Sequence, residues 1–259
     1  VDGEGSDGSW HVIAPIEQVL VVVPARDEQE LIGGCLDSIS DAAARLAASP
    51  RPCMCLVVVV LDGCTDRTAE VVATRPWAQA VAVDLGRVGA VRRRGVDTGL
   101  SLLPSSPTGP ASGAGAERVW LAHTDADSRV PPEWLTRQLT VADTGVDLVL
   151  GSVEPDPGDL TQRLQERWHA EHGLREGHPA VHGANLGVRG SAYERAGGFA
   201  SLAVHEDVDL ASRVRRTGGR CLSTDLTRVR TSGRASSRVV GGFADYLDAL
   251  ARAELEPGA

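Results

Sequence analysis

A chain of 259 residues with 42% hydrophobic content can bury one large core, or one α/β domain with an appendage. The net charge of −9, from 35 acidic against 26 basic residues, excludes a nucleic-acid footprint, which needs a basic face. Cys53–Leu61, the longest apolar run, is far short of the ~20 residues of a membrane span, and no basic segment followed by an apolar one opens the chain.

Aromatic residues make up only 3%, so the core must come from Val, Leu and Ala, and every basic residue is Arg. Five cysteines lack zinc spacing and read as small buried hydrophobes. Together these features predict a protein of the reducing cytoplasm.

Residues 1–15 begin with a stretch rich in Gly, Asp and Ser, expected as a disordered lead-in. A single domain is expected over 16–250, followed by a tail at 251–259. Val19–Val23 is a β-branched run stopped by Pro24 and predicts a buried strand. Leu31, Cys35, Leu36, Ile39, Ala43 and Leu46 then follow helical spacing. Further strands are expected at Leu56–Leu61 and Ala80–Leu85, with helices at Thr65–Ala73 and Val88–Thr98. Ser101–Ala116 lacks large side chains and predicts a surface loop outside the sheet. Val119–Ala122 makes a fourth strand, Pro132 starts a helix and Asp147–Ser152 makes a fifth strand. An amphipathic helix is expected over Leu160–Glu176. Beyond Gly177 the pattern turns irregular, with a short helix, a helix at Asp207–Thr217 and a strand near Cys221. Single strands alternating with helices predict an α/β fold with a mainly parallel, Rossmann-like sheet covered on both faces.

Three of these strands run directly into acidic turns: Arg26-Asp27-Glu28, Asp62-Gly63-Cys64-Thr65-Asp66 and Asp125-Ala126-Asp127. A parallel sheet places all its carboxyl ends on one edge, where ligands bind. Glu28, Asp62, Asp125 and Asp127 are therefore expected to face one crevice. Carboxylates accept the N–H groups of a nucleotide base, and two Asp on one turn supply oxygen to a hard divalent cation. Each motif has a plainer reading: Asp66 as a helix cap, Asp125 and Asp127 as a turn before Pro131, Arg26–Glu28 as a charged helix start. Three such coincidences at three strand ends favour a nucleotide-diphosphate site. The first turn has no glycine, which excludes a dinucleotide-binding Gly-x-Gly-x-x-Gly.

From about Val19 to Arg234 the chain resembles a family 2 glycosyltransferase with the GT-A fold. Pro24-Ala25-Arg26-Asp27-Glu28 and Asp62-Gly63-Cys64-Thr65-Asp66 are similar to the family's base-contacting turns. Gly86-Arg87-Val88-Gly89-Ala90-Val91-Arg92 resembles a helix start near the donor, and Asp125-Ala126-Asp127 the metal-binding Asp-x-Asp. Gly183-Ala184-Asn185 resembles the loop beneath the donor sugar, and Glu206-Asp207 the acidic pair whose Asp is the base. Leu61, Cys64 and Arg87 depart from the usual Asp, Ser and Lys. Gln165-Glu166-Arg167-Trp168 has the wrong spacing for the Gln-x-x-Arg-Trp of processive synthases, which favours single transfer. The resemblance splits the domain into a nucleotide-binding half, about 16–130, and an acceptor-binding half, about 131–250.

The resemblance implies an inverting displacement in which Asp207 takes the acceptor proton beside Glu206. Asp127 and Asp125 would hold Mn²⁺ or Mg²⁺, and Arg92, Arg230 and Arg234 would offset the diphosphate. Arg230 and Arg234 belong either to a loop over the donor or to a solvated strand edge. His182 and His205 flank the acceptor side, whereas His169 and His172 read as ordinary helix residues. The implied partners are a UDP-, GDP- or dTDP-linked sugar and an acceptor hydroxyl, with no nucleic acid and with peripheral membrane contact left open. A sugar-phosphate nucleotidyltransferase and a non-catalytic scaffold on the same fold stand as alternatives.

Overall fold

The computed structural model describes residues 13–105, 111, 113–172, 174–234 and 249–250. The tail, most of the lead-in and the stretch 106–110 lie outside the described residues. One eight-stranded sheet forms the centre. Its strands are β1 (Gln18–Ala25), β2 (Met54–Asp62), β3 (Ala78–Val83), β4 (Val119–His123), β5 (Ser128–Arg129), β6 (Leu148–Pro155), β7 (Leu186–Arg189) and β8 (Cys221–Thr231). The helices are α1 (Ile32–Ala47), α2 (Thr68–Ala73), α3 (Val88–Leu102), α4 (Trp134–Ala142), α5 (Gln162–Glu171), α6 (Gly190–Arg195) and α7 (Glu206–Arg216).

The strand order is β3-β2-β1-β4-β7-β6-β8-β5. The first half is purely parallel: β1 pairs with β2 and β4, and β2 with β3. Past β4 the sheet is mixed, because β7 runs antiparallel to both β4 and β6, and β5 antiparallel to β8. The sequence pattern missed β5 and β7, which at two and four residues are too short for a period of two to stand out.

Alternation along β1 builds both layers of the core. Val19, Val21 and Val23 join Ile32, Leu36 and Ile39 of α1 and Trp134 and Leu135 of α4 on one face. Leu20 and Val22 join Val91 and Val96 of α3, Ala192 and Tyr193 of α6 and Leu210 and Val214 of α7 on the other. The result is a helix–sheet–helix sandwich, as expected for strands buried on both faces.

Helix α3 lies unusually close to the sheet. A Cβ at Gly95 would come 2.4 Å from Val22 Cγ1, and one at Gly99 2.3 Å from Leu20 Cδ1. Glycine costs a helix interior about 1 kcal/mol against alanine, so two glycines one turn apart mark a packing requirement. Their close seat fixes the height of Arg92, one turn nearer the amino end.

Two expected boundaries are corrected. Helix α3 runs on to Leu102, and Leu103, Ala111 and Ala116 are buried, so parts of Ser101–Ala116 belong to the core rather than a surface loop. The helix expected to Glu176 ends at Glu171. Beyond it Glu176 accepts hydrogen bonds from Thr224 Oγ1 (3.0 Å) and the Asp225 N–H (2.9 Å), tying the connection to β8.

Candidate active site

The site assembles along the carboxyl ends of β1, β2 and β4, closed by the amino end of α7 and the last turn of β8. Two clasps set the first two turns. Asp27, in the left-handed region at φ 52°, accepts the Thr65 N–H at 2.6 Å, and Asp66 accepts the Gln29 N–H at 3.0 Å. Asp66 also takes the Thr68 N–H at 2.9 Å, the helix-start acceptor among the sequence readings. Asp27 and Asp66 therefore hold the loops, leaving the buried Glu28 directed into the crevice.

Asp62 is buried; Oδ1 accepts N–H groups from Leu85 (2.6 Å) and Gly86 (3.2 Å), and Oδ2 shares the Gly86 N–H at 3.1 Å and lies 3.8 Å from Arg26. It thus ties β2 to the turn before α3, and the exposed Arg26 stands at its open side. Sequence reading gave Asp62 the base contact alone. In the structure both carboxylate oxygens hold backbone N–H groups, and Arg26 lies beside Oδ2.

The centre is a carboxylate cluster threaded by two guanidiniums. Arg92, fully buried, donates to Asp125 Oδ1 at 2.5 Å and to Glu206 Oε1 at 3.0 Å. Burial alone would depress Arg92, but Asp125, Glu206 and Asp207 more than offset it and hold its pKa above the ordinary value. Arg234 donates to Glu28 Oε2 at 2.7 Å and Oε1 at 2.5 Å, and reaches Asp127 Oδ2 at 3.1 Å. Asp127 Oδ1 also accepts from Thr231 Oγ1 at 3.2 Å. Burial, then the charges of Asp125 and Glu28, push Asp127 up to about 6. Glu206 is likewise raised, chiefly by burial, with Arg92 opposing.

Helix α7 starts at this cluster. His205, at φ 61°, turns the chain sharply into it, a left-handed residue of the kind that gathers at functional sites. Glu206 points inward onto Arg92, while Asp207 stays half-buried and accepts the Val208 N–H at 2.7 Å. His182 sits nearby, half-buried, its pKa lowered by burial against the opposing charge of Asp207. Gly89 lets the start of α3 touch the segment before α7. A Cβ there would lie 2.0 Å from the Ala200 carbonyl oxygen, and the Gly89 N–H bonds Leu202 O at 3.0 Å.

Several of the expected donor residues have side chains engaged within the protein. Asn185 is fully buried: Oδ1 accepts from Trp134 Nε1 at 2.9 Å and Nδ2 donates to Ser152 O at 2.8 Å and Thr227 O at 2.7 Å. It staples α4, β6 and β8 beneath the site rather than facing a sugar. Asn185→Ala should leave those three groups unpaired and cost several kcal/mol at about 1–3 kcal/mol per buried group, read as a drop in urea midpoint. Ala25, Ala126 and Ala184 are buried in the core, so a ligand could meet only their backbone, and Pro24 is half-buried. Gly183 admits Arg92, whose Nη2 would be 2.6 Å from a Cβ at that position. Arg230 is exposed on β8, which at this point lies between β6 and β5, and pairs with Glu154 at 3.4 Å, while Thr231 beside it turns inward. Sequence reading missed Thr231; its inward place in the alternation of β8 is the only local signal.

Asp125 and Asp127 present hard oxygens on one turn, the donor chemistry Mg²⁺ or Mn²⁺ prefers. Among the described residues no group of three or more His, Cys, Asp or Glu could hold a metal ion. The charges of Asp125 and Glu28 around Asp127 favour a positive charge there.

An α/β crevice lined by acids, with an acidic helix start opposite, is the architecture of GT-A enzymes. The family model described as "Glycosyltransferase like family 2" matches residues 15–252. The chain belongs to that family. Among solved structures it is similar to Staphylococcus aureus TarS 1–349 in complex with UDP, at 16% identity and TM-score 0.55, covering 83% of this chain and 60% of that one. It is also similar to the mannosyltransferase PcManGT from Pyrobaculum calidifontis in complex with GDP-Man and Mn²⁺, at 22% identity and TM-score 0.58, covering 95% and 68%. A third is glucosyl-3-phosphoglycerate synthase from Mycobacterium tuberculosis with Mg²⁺ and UDP, at 16% identity and TM-score 0.51, covering 94% and 81%. At 60% of the TarS 1–349 chain, the present chain spans less than two thirds of that relative. No match was found among curated proteins. Among the described residues no helix is long and apolar enough to cross a membrane.

Proposed function

We propose that the protein is an inverting glycosyltransferase that moves one sugar from a nucleotide-diphosphate donor to an acceptor hydroxyl, assisted by Mn²⁺ or Mg²⁺. The observation that carries this reading is the single buried guanidinium of Arg92, which holds Asp125 of the crevice and Glu206 of the acidic helix start together. The turn of Asp125 and the start of α7 are thereby joined through one guanidinium, the first suited to a cation and the second to a proton. Family membership and the nucleotide complexes of PcManGT and TarS support the donor class.

Asp207 accepts the proton of the acceptor hydroxyl as that oxygen attacks the anomeric carbon from the face opposite the diphosphate. Glu206, held on Arg92, fixes the start of α7 so that Asp207 keeps its place. Asp62 and Arg26 border the base, and Arg234 and Arg92 offset negative charge near the diphosphate. When bound, the metal held by Asp125 and Asp127 would supply a Lewis acid for the leaving diphosphate. His182 and His205 lie on the acceptor side. Two carboxylates leave most of a divalent cation's coordination to other oxygens, so metal and nucleotide are expected to bind as a pair.

Titration calorimetry tests this. UDP, GDP and dTDP should bind with affinity that rises on adding Mn²⁺ or Mg²⁺, for at least one base. Asp127→Ala should remove that gain, a loss on the order of 10- to 100-fold, roughly 1.4–2.8 kcal/mol. Equal affinity with and without metal would sink the metal assignment, and no binding of any nucleotide would sink the reading as a whole.

A further inference from the structure

The two guanidiniums of the cluster are not equivalent. Arg92 is sealed in, its side chain 2% exposed and held by Asp125 and Glu206 at once. Arg234 is 25% exposed and approaches from the rim, with Nη2 shared between Glu28 Oε1 at 2.5 Å and Asp127 Oδ2 at 3.1 Å. The backbone around Arg234 is pinned separately. The Ser232 N–H bonds Asp127 O at 3.1 Å, the Gly233 N–H bonds Asp159 Oδ2 at 2.8 Å, and Ser232 Oγ bonds the same oxygen at 3.1 Å. Because of that latch, the guanidinium can leave by side-chain rotation without moving the chain that carries it.

Charge count leads the same way. Glu28, Asp125, Asp127 and Glu206 bring four carboxylates against the two guanidiniums, and Asp127 is the one most crowded by its neighbours. Its Oδ1 is met by the hydroxyls of Thr231 at 3.2 Å and Ser128 at 3.4 Å, which leaves Oδ2 as the oxygen compensated by a charge rather than by hydroxyls. Arg234 stands on that oxygen.

We propose that Arg234 is the resident counter-ion of the metal carboxylate, a positioning residue that a divalent cation displaces from Asp127 when it binds. This rests on the metal reading of Asp125 and Asp127 given above. In the resting enzyme Arg234 keeps Glu28 and Asp127 compensated and the site ordered. The same contact raises the threshold for metal entry, so metal alone is poorly retained and metal carried in by a diphosphate is favoured. The displaced guanidinium stays tethered at the rim through Glu28.

The test is Mn²⁺ binding without nucleotide, followed by the electron paramagnetic resonance signal of free Mn²⁺ and by calorimetry. Arg234→Gln removes the competing cation and should tighten Mn²⁺ binding by about tenfold or more, since a charge in contact with a half-buried carboxylate is weakly screened. Arg234→Lys keeps the charge but loses the planar fork and should fall between the two. Unchanged or weaker Mn²⁺ binding in Arg234→Gln, with only a lower melting temperature, overturns the proposal and leaves Arg234 a structural strap. If Arg234→Gln does not fold, Arg234→Lys decides alone: tighter binding than the parent supports the exchange, and equal or weaker binding overturns it. A parallel titration of the unaltered protein with UDP or GDP plus Mn²⁺ separates the two readings. If no metal–nucleotide pair binds, the metal assignment itself fails. If a pair binds and the variants leave Mn²⁺ affinity unchanged, only the exchange fails.

Discussion

Asp207→Asn should retain donor and metal affinity while lowering kcat by at least ~100-fold, the usual scale of losing a general base. The reason is the difference between two adjacent acids. Glu206 is buried, and one of its oxygens is committed to Arg92. Among the described residues the Asp207 carboxylate accepts only the N–H of Val208, and it remains half-buried at the mouth of the helix. A carboxylate placed this way can take a proton from a hydroxyl that arrives from solvent. Replacing one oxygen by an amide removes that capacity without adding bulk, so donor binding, which the proposal assigns to Asp62, Asp125 and Asp127, should be unaffected. Glu206→Gln should cost less in kcat and more in stability. Calorimetry with the nucleotide and turnover with an identified acceptor check both halves. Normal turnover by Asp207→Asn would move the base elsewhere, with Glu206 the first candidate.

What the sequence revealed was local, and what it hid was distant. Strands β1 and β2 were legible because short unbroken Val and Leu runs bounded by turn residues have few other uses than a buried strand. Acids at three strand ends followed from the parallel order of β1, β2 and β4, and the structure brings Glu28, Asp125 and Asp127 to one crevice. The pairing of Glu28 with Arg234 joins residues 206 positions apart, and no short-range pattern encodes it. The partners of the Asn185 side chain were hidden for the same reason. An amide in a Gly-Ala-Asn turn can serve a ligand or the protein backbone, and the carbonyls of Ser152 and Thr227 that settle the matter lie 33 and 42 residues away. Arg230 and Arg234 were indistinguishable as sequence. The strand continues through Thr231, so alternation turns Arg230 to solvent, while Arg234 lies past the strand end where the chain is free to turn inward.

Arg92→Met should destabilise the fold by about 3–5 kcal/mol, the range for removing one partner from a buried ion pair. At about 2–4 °C per kcal/mol for a domain near this size, the melting temperature should fall by roughly 6–20 °C. Methionine fills most of the volume, so the loss is electrostatic: Glu206, 5% exposed, and Asp125 would keep their charges without a counter-ion. The exposed edge of Asp125 softens its share through solvent, which leaves Glu206 as the main debtor. Two consequences follow that a simple packing defect would not produce. Arg92→Met with Glu206→Gln should recover part of the loss, because the second change removes the stranded charge. The deficit should also depend on pH. Burial already raises Glu206, and losing Arg92 raises it further in the folded state, so the folded variant binds more protons than the unfolded chain between the unfolded and folded pKa values. Stability of Arg92→Met relative to the parent should therefore worsen as pH rises through that window and improve as pH falls through it. Urea denaturation of the parent, the single variant and the double variant across that window measures both effects. A deficit below ~1 kcal/mol, or one that stays the same at every pH and is untouched by Glu206→Gln, would mean that Arg92 packs the site without holding its two acids together.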